Sequence, residues 1–353
     1  GRDPVERHPS ADRSRLRIAI VNDLALAITS IRRVLEHDGR HTIAWVARDG
    51  EDALARFAAD QPDLVLLDLL MPRLDGVQTT RRIRESSSCP ILIVTANAGQ
   101  ASGQIFEAMG YGALDVVNVP VLTGAPAENG RALLQKIATV ERLQGRAVAP
   151  QRHAPGSGEA APPTRRRPRL IAIGASTGGP RTLATVLAPL PRHLAAAIVV
   201  VQHIDAQFAP GLVSWLDGQI PLSVRAAETG QSPQAGSVLI AVSNDHLVLR
   251  SDGRFAYQQD PIDEPYRPSV DVFFNSLQQH WHDPGTAVLL TGMGRDGGKG
   301  MLGLRRSGWH TIAQDEASCA VYGMPKAAVD LGGATEVLAP EAIAQRLGQR
   351  RMA

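Results

Sequence analysis

Apolar and polar positions alternate in blocks along this chain. Short apolar runs recur at 16–21 (Leu-Arg-Ile-Ala-Ile-Val), 42–47 (Thr-Ile-Ala-Trp-Val-Ala), 64–67 (Leu-Val-Leu-Leu), 91–94 (Ile-Leu-Ile-Val) and 115–119 (Asp-Val-Val-Asn-Val). A strand covered on both faces has no reason to alternate with polar residues, so such runs predict buried strands of a parallel sheet. Helix-like stretches lie between them, one reaching to about Leu35 and another over 51–59. Five strands alternating with helices predict a doubly wound α/β domain over 16–143.

The same alternation resumes at 170–173 (Leu-Ile-Ala-Ile), with further buried-strand candidates at 198–201, 237–241 and 287–290. This predicts a second α/β domain over 169–350. Residues 144–168 break the pattern. They hold Pro150, Pro155, Pro162, Pro163 and Pro168 among glycines and alanines, with the cluster Arg165-Arg166-Arg167. Such a composition buries no core and reads as a flexible linker. The arginines read as solvated linker charge, with a phosphate or acidic-partner contact as the alternative. The fold class is therefore α/β, two doubly wound parallel-sheet domains joined by a linker. No long internal repeat relates the halves.

Composition adjusts this picture only slightly. The 353 residues suit two domains, each able to bury a core. Net charge is +2 with 20% charged residues, and part of the basic excess sits in the arginine cluster, so nothing signals nucleic acid. Only Cys89 and Cys319 are present, far apart, which suits a reducing cytoplasm and disfavours a disulfide framework or a cysteine metal site. No apolar run approaches the ~20 residues of a membrane span. The first 15 residues are charged and lack the apolar segment of a signal peptide. The expectation is a cytoplasmic monomer without membrane insertion.

Candidate chemistry concentrates at strand ends of the second domain. Strand 170–173 runs into Gly174-Ala175-Ser176-Thr177-Gly178-Gly179-Pro180, a G-x-S-x-G turn whose small residues let a sharp bend expose the Ser176 hydroxyl. A helix starting there would offer backbone N–H groups to an oxyanion. Alone, the segment reads equally as a glycine-rich phosphate or dinucleotide loop. His203 follows the run 199–201, at the end where open parallel sheets place their sites, and supplies a candidate base. The run 287–290 ends in Thr291-Gly292-Met293-Gly294-Arg295-Asp296-Gly297-Gly298, where Asp296 can orient and stabilise an imidazole. For His203 and Asp296 singly, a structural histidine and a capping carboxylate are the alternatives; Ser, His and Asp on three strand ends argue for a triad. Their order differs from the Ser…Asp…His order of α/β-hydrolases, so that fold is not implied. Tyr322-Gly323-Met324-Pro325-Lys326 has the Tyr-x-x-x-Lys spacing of short-chain dehydrogenases, but Gly323 and Pro325 between the pair disrupt the helix that spacing needs.

Gly-Ala-Ser-Thr-Gly-Gly-Pro, Val-Gln-His, Arg267-Pro268-Ser269-Val270-Asp271-Val272, Thr-Gly-Met-Gly-Arg-Asp-Gly and Val321-Tyr322-Gly323-Met324-Pro325 together resemble the catalytic domain of the CheB family, the chemotaxis protein-glutamate methylesterases. The likeness covers nearly all of 169–348. It implies Ser176 as nucleophile, His203 as general base and Asp296 as its orienter, acting on glutamate methyl esters of methylated chemoreceptors and deamidating receptor glutamines. The oxyanion would be held near the turn, with Thr177, Gly178 and the Met293 loop as support. Such a mechanism would need no cofactor in this half.

In the first domain Asp68 ends the run 64–67, followed by Met71-Pro72 and Asp75-Gly76, while Asp23 and Thr95 follow two other strands. Carboxylates converging there suit a hard cation such as Mg²⁺. Residues 16–143 resemble a response-regulator receiver domain of flavodoxin-like fold. The resemblance implies Asp68 as phosphoacceptor, Asp23 and Asp68 as Mg²⁺ ligands, Thr95 as the switch hydroxyl and a CheA-like histidine kinase as phosphodonor. It also implies that the unphosphorylated receiver covers the catalytic cleft. Two departures stand out: the usual acidic pair is Asn22-Asp23, and Val119 replaces the expected lysine before Pro120. The aromatic switch position is aliphatic, at Val116. These features resemble the WspF-type branch, which serves outputs other than the flagellar motor. Two other readings are a non-catalytic receptor-docking regulator with a degenerate receiver and a general small-ester hydrolase.

Overall fold

The computed structural model describes residues 15–96, 99, 101–144 and 169–349. The expected linker and its arginine cluster lie outside these residues. The chain divides into two compact units, one of residues 1–96 and 117–148, the other of residues 97–116 and 149–353. Both are built on α/β architecture with parallel sheets.

The N-terminal elements are β1 (Arg17–Val21), α1 (Ala25–Asp38), β2 (Thr42–Ala47), α2 (Gly50–Ala59), β3 (Leu64–Leu67), α3 (Gly76–Ser86), β4 (Ile91–Thr95), α4 (Ser102–Tyr111), β5 (Asp115–Asn118), α5 (Pro126–Asn129) and α6 (Arg131–Gln144). The strands form one sheet in the order β2-β1-β3-β4-β5. β1 and β3 pair side by side although β2 lies between them in sequence, so the order reverses there and opens a crevice at their C-terminal ends. β3 is buried at every residue, as its unbroken apolar run requires. α1 buries Ala27, Ile28, Ile31, Val34 and Leu35, one face of a 3.6-residue period. It stops at Gly39, whose left-handed φ of 66° lets its N–H return to the Leu35 carbonyl. Asp49 and Asp75 cap α2 and α3 by accepting the amides of Asp52 and Gln78.

The C-terminal elements are β6 (Arg169–Ala175), α7 (Gly179–Leu187), β7 (Ala196–Gln202), α8 (Ala209–Gln219), β8 (Ser223–Ala226), β9 (Ser237–Ile240), β10 (His246–Leu249), β11 (Phe255–Gln258), α9 (Val270–His280), β12 (Thr286–Leu289), α10 (Gly298–Arg306), β13 (His310–Gln314), α11 (Met324–Asp330), β14 (Glu336–Leu338) and α12 (Pro340–Gly348). Seven strands form a sheet in the order β14-β13-β12-β6-β7-β9-β8, all its pairs parallel. The chain enters at central β6, builds outward through β7, then crosses to β12 on the other side. The strand ends of β12, β6 and β7 therefore flank a switch point. β10 and β11 form a separate antiparallel hairpin.

The four apolar runs expected in the second half are β6, β7, β9 and β12. The sequence reading missed β8, β10, β11, β13 and β14. Some of these alternate in burial or are only half-buried, as β8 and β14 are, so they lack the continuous apolar signature. β5 ends at Asn118, one residue short of the expected run. Among the described residues no helix is long and apolar enough to cross a membrane.

Candidate active site

Ser176 follows β6 directly and His203 follows β7. The two strands are in register with Ala175 opposite Gln202, so Ser176 and His203 leave neighbouring strand ends side by side, about 5 Å apart along the ladder. The His203 amide donates to the Ala175 carbonyl at 2.9 Å, carrying the pairing one step past the strand. Gln202 is buried beneath the turn, and its Nε2 donates to the Ser176 carbonyl at 2.8 Å.

The turn is clamped from β12. The Ser176 amide donates to the Thr291 carbonyl at 3.0 Å, and Thr291 Oγ1 donates to the Thr177 carbonyl at 3.0 Å. Gly292 is required by close approach: a Cβ there would lie 2.7 Å from Ser176 Cβ and 2.3 Å from Met324 Sδ. The Val321–Met324 segment braces this loop from behind, with Gly292 N on the Val321 carbonyl and Met324 N on the Gly292 carbonyl. Gly178, at φ +77°, caps α7 in a conformation that costs a residue with a side chain. Ser176 and Thr177 are buried. Met293 follows Gly292 in the same loop.

Asp296 is also buried, and its carboxylate is ringed by donors. Oδ2 accepts from His203 Nε2 at 2.7 Å and Val270 N at 2.7 Å; Oδ1 accepts from Ser269 Oγ at 2.8 Å, Asp271 N at 2.9 Å and Gly297 N at 3.0 Å. Two of these donors are the first amides of α9, where unpaired N–H groups and the helix dipole favour negative charge. Burial alone pushes this carboxyl up. The hydrogen bond and charge of His203, with the amides of Asp271 and Val270, outweigh burial and hold it below the usual carboxylate range.

The His203 ring is held on two sides. Nε2 meets Asp296, and one face stacks on Tyr266, ring centroids 4.5 Å apart and planes within 4°. Nδ1 is buried and has no hydrogen-bond partner among the described residues. The structure thus joins His203 to Asp296 and sets Ser176 beside His203, but makes no hydrogen bond from the Ser176 hydroxyl to the imidazole. Catalytic hydrogen bonds in unliganded sites are often long and tighten only with substrate.

Ser269 and Tyr266 were missed as contributors to this site. Ser269 did carry a signal: it precedes Val270-Asp271 at the head of an amphipathic stretch, the pattern of an N-cap, and its Oγ also accepts Val272 N. Tyr266 carried none, since its stacking partner is 63 positions earlier. Tyr322 lies ahead of α11 while Lys326 lies within it and pairs with Asp330 at 2.7 Å, which removes the dehydrogenase reading.

In the first unit Asp68 follows β3 and is buried. Its Oδ1 accepts Leu69 N at 2.7 Å and its Oδ2 accepts Asn22 Nδ2 at 3.2 Å. Burial pushes its carboxyl up from 3.8 to about 6; the amides of Leu69 and Leu70 pull it back, the Asp23 charge raises it further, and Asn22 opposes. Asp23 is half-buried. The Asp23 charge thus acts against ionisation of Asp68. Asn22 adds no ligand oxygen to that pair: its Nδ2 points at Asp68 and its Oδ1 accepts Leu24 N at 2.9 Å. Among the described residues no group of three or more His, Cys, Asp or Glu side chains is arranged for a metal ion. Thr95 ends β4, buried, with its carbonyl accepting Val119 N at 2.9 Å. Val119 is half-buried and Val116 buried.

Comparison with known proteins agrees with both halves. Residues 171–347 match the family model for CheB methylesterase, and residues 18–123 match that for the response regulator receiver domain. The chain is 52% identical to protein-glutamate methylesterase/protein-glutamine glutaminase 2 of Cupriavidus metallidurans over 334 residues, 94% of this chain and 97% of the relative. It is 49% identical to protein-glutamate methylesterase/protein-glutamine glutaminase 1 of Pseudomonas fluorescens over 94% of this chain and 98% of the relative. The crystal structure of the Thermotoga maritima CheB methylesterase catalytic domain aligns at 36% identity with a TM-score of 0.49, covering 52% of this chain and 98% of that one.

Proposed function

Because this chain belongs to the CheB methylesterase family, we propose that it is a protein-glutamate methylesterase that hydrolyses glutamate methyl esters on methylated chemoreceptors and deamidates receptor glutamines, with Ser176, His203 and Asp296 as its triad. The observation that carries this reading is the imidazole. With Nε2 held on the Asp296 carboxylate at 2.7 Å, the neutral ring keeps its proton on Nε2 and its lone pair on Nδ1, the nitrogen without a partner. Nδ1 then takes the Ser176 proton as Oγ attacks the ester carbonyl. The tetrahedral oxyanion needs donors other than Ser176 N, which is already engaged by Thr291. In this reading the Thr177 amide and the Met293 loop hold it, with Gly178 shaping the turn while its own amide donates to the Leu114 carbonyl at 3.0 Å. Collapse expels methanol, protonated by His203, and leaves an acyl-serine. Water deprotonated by the same nitrogen hydrolyses that ester and frees the glutamate. With a glutamine substrate the leaving group is ammonia.

The test is methanol release from methylated receptor by wild type and Ser176→Ala. Loss of turnover in the variant is expected. Equal rates would leave a receptor-docking module without catalysis. Hydrolysis of simple esters with no release from receptor would favour a general esterase.

The regulatory half of the proposal assigns residues 16–143 to the receiver, 144–168 to the linker and 169–350 to the esterase. Asp68 accepts a phosphoryl group from the phosphohistidine of a CheA-like kinase, and Thr95 responds to it. Asp23 and Asp68 would hold Mg²⁺, which when bound neutralises charge during the transfer. Phosphorylation raises esterase activity. Asn22, Val116 and Val119 align the chain with the WspF-type branch and predict slow labelling. A phosphodonor assay comparing wild type with Asp68→Asn tests the acceptor: label retained by the variant removes Asp68 from the role. Deletion of residues 1–168 should raise the esterase rate, and an unchanged or lower rate would remove the inhibitory role.

A further inference from the structure

Helices α9 and α10 begin against each other, and each start is capped by an acid from the other segment. The first amides of a helix have no partner within it. Asp296, which precedes the α10 N-cap Gly297, accepts the amides of Val270 and Asp271, the first two of α9. In return Asp271 Oδ1 accepts the amide of Gly300, the third residue of α10, at 2.6 Å. Gly297 has no side chain to do this locally, so the cap of α10 comes across from α9. Asp271 therefore holds the Asp296 carboxylate through its amide and the start of α10 through its side chain.

We propose that Asp271 is a positioning residue for the hydrolysis: by accepting the Gly300 amide it fixes the start of α10, and through it the seating of Asp296 on His203 Nε2. Burial, with neighbouring charge added to it, makes this an uncomfortable place for an acid. Burial pushes the Asp271 carboxyl up to about 6, the Gly300 amide pulls it back, and the Asp296 charge raises it again, with Glu264 adding to it. An apolar residue of similar size would avoid that cost but could not accept the amide. Asp271 also lines an open cavity of about 520 Å³ beside Arg250, Glu264 and His280.

This inference rests on the triad reading, and the test separates the two. Full-length wild type, Asp271→Ala and Asp271→Asn are compared by phosphonylation of the serine with a fluorophosphonate (kinact and KI) and by methanol release from methylated receptor (kcat and KM). Asp271→Ala should lower kinact and kcat by about ten-fold or more, as sub-ångström misplacement of a catalytic group does, with KI and KM within about two-fold. Asp271→Asn keeps an oxygen for Gly300 N and should recover to within about three-fold of wild type. Asp271→Ser, too short to reach Gly300, carries the same expectation as the alanine variant if the latter does not fold by circular dichroism. An unchanged kinact in the alanine or serine variant, a loss confined to KM, or an asparagine variant no better than alanine would each overturn the assignment. Ser176→Ala and Asp296→Asn run alongside. Wild-type rates in those two would sink the triad itself, whereas their loss with Asp271→Ala unaffected would sink only the role of Asp271.

Discussion

Asp68 and Asp296 both follow a buried parallel strand at a point where strand order reverses, Asp68 directly after β3 and Asp296 at the far end of the loop between β12 and α10, and each is almost fully buried. Their surroundings differ in the number of donors. Asp296 has five, two of them from the start of a helix, and its charge is held in place. Asp68 has Leu69, Leu70 and Asn22 against a neighbouring carboxylate, and burial wins, pushing its carboxyl up to about 6. A carboxylate with a full set of donors is a fixed charge, suited to orienting an imidazole that becomes positive during reaction. A carboxylate short of donors gains from whatever reduces its charge or repulsion, whether a proton, a cation or another group. The same residue type is thus a charge held by its donors in one unit and a group that gains from neutralisation in the other.

The largest expected effect sharpens the anchor side. Ser176→Ala should reduce methanol release by about 10⁴-fold or more while leaving the unfolding temperature close to wild type, because the hydroxyl makes no hydrogen bond among the described residues. Asp296→Asn should lower kcat by about 10²–10⁴-fold, since an amide cannot stabilise an imidazolium and turns an NH₂ toward donors. It should also destabilise the fold by about 1–3 kcal/mol, read by denaturant titration.

Asp68→Asn should do the opposite, and the pair of variants is the sharpest test of the comparison. An acid whose folded pKa lies above its unfolded value binds its proton more tightly in the folded state, so its charge costs stability above that range. The cost is absent below about pH 4, where both states are protonated, grows as pH rises from the usual 3.8 toward about 6, and is complete above it. Asp68→Asn in the presence of a chelator should therefore raise stability at pH 7 by about 1–3 kcal/mol, and the gain should vanish near pH 4. For Asp296, whose carboxyl is lowered, stability is present above the ordinary carboxylate range and is lost as pH falls below it. Variants of the two residues with the same sign of ΔΔG at pH 7 would break the comparison.

Smaller effects should come from the supports. Ser269→Ala removes one donor from Asp296 and the N-cap of α9, and should cost about 1 kcal/mol of stability and lower kcat several-fold. Tyr266→Leu loses the stack on His203 and should lower kcat about 3–10-fold, with Tyr266→Phe close to wild type because the ring face makes the contact. A phenylalanine variant as impaired as leucine would assign the effect to the hydroxyl instead.

Much of this was legible in the chain itself. Continuous apolar runs identify β1, β3, β4, β6, β7 and β12 because a strand covered on both faces is apolar along its buried length, and Ser176, His203 and Asp68 lie at the ends of such runs, with Asp296 in the loop that follows one. A parallel sheet with its crossovers puts those ends on one edge, so strand-end residues converge without any further information. The edge strands β8 and β14 escaped because half-buried positions leave no continuous signature, while β10 and β13 carry histidine or other polar residues within short runs. The sequence alone could not assign which imidazole nitrogen meets the acid, that Ser176 N is engaged by Thr291, that Tyr266 lies on His203, or that Asp271 and Asp296 cap each other's helices. Those facts join residues tens of positions apart through orientation, which apolar periodicity does not encode. The number of donors around a buried carboxylate depends on which helix starts reach it, so the contrast between Asp68 and Asp296 was decided only when the chain folded.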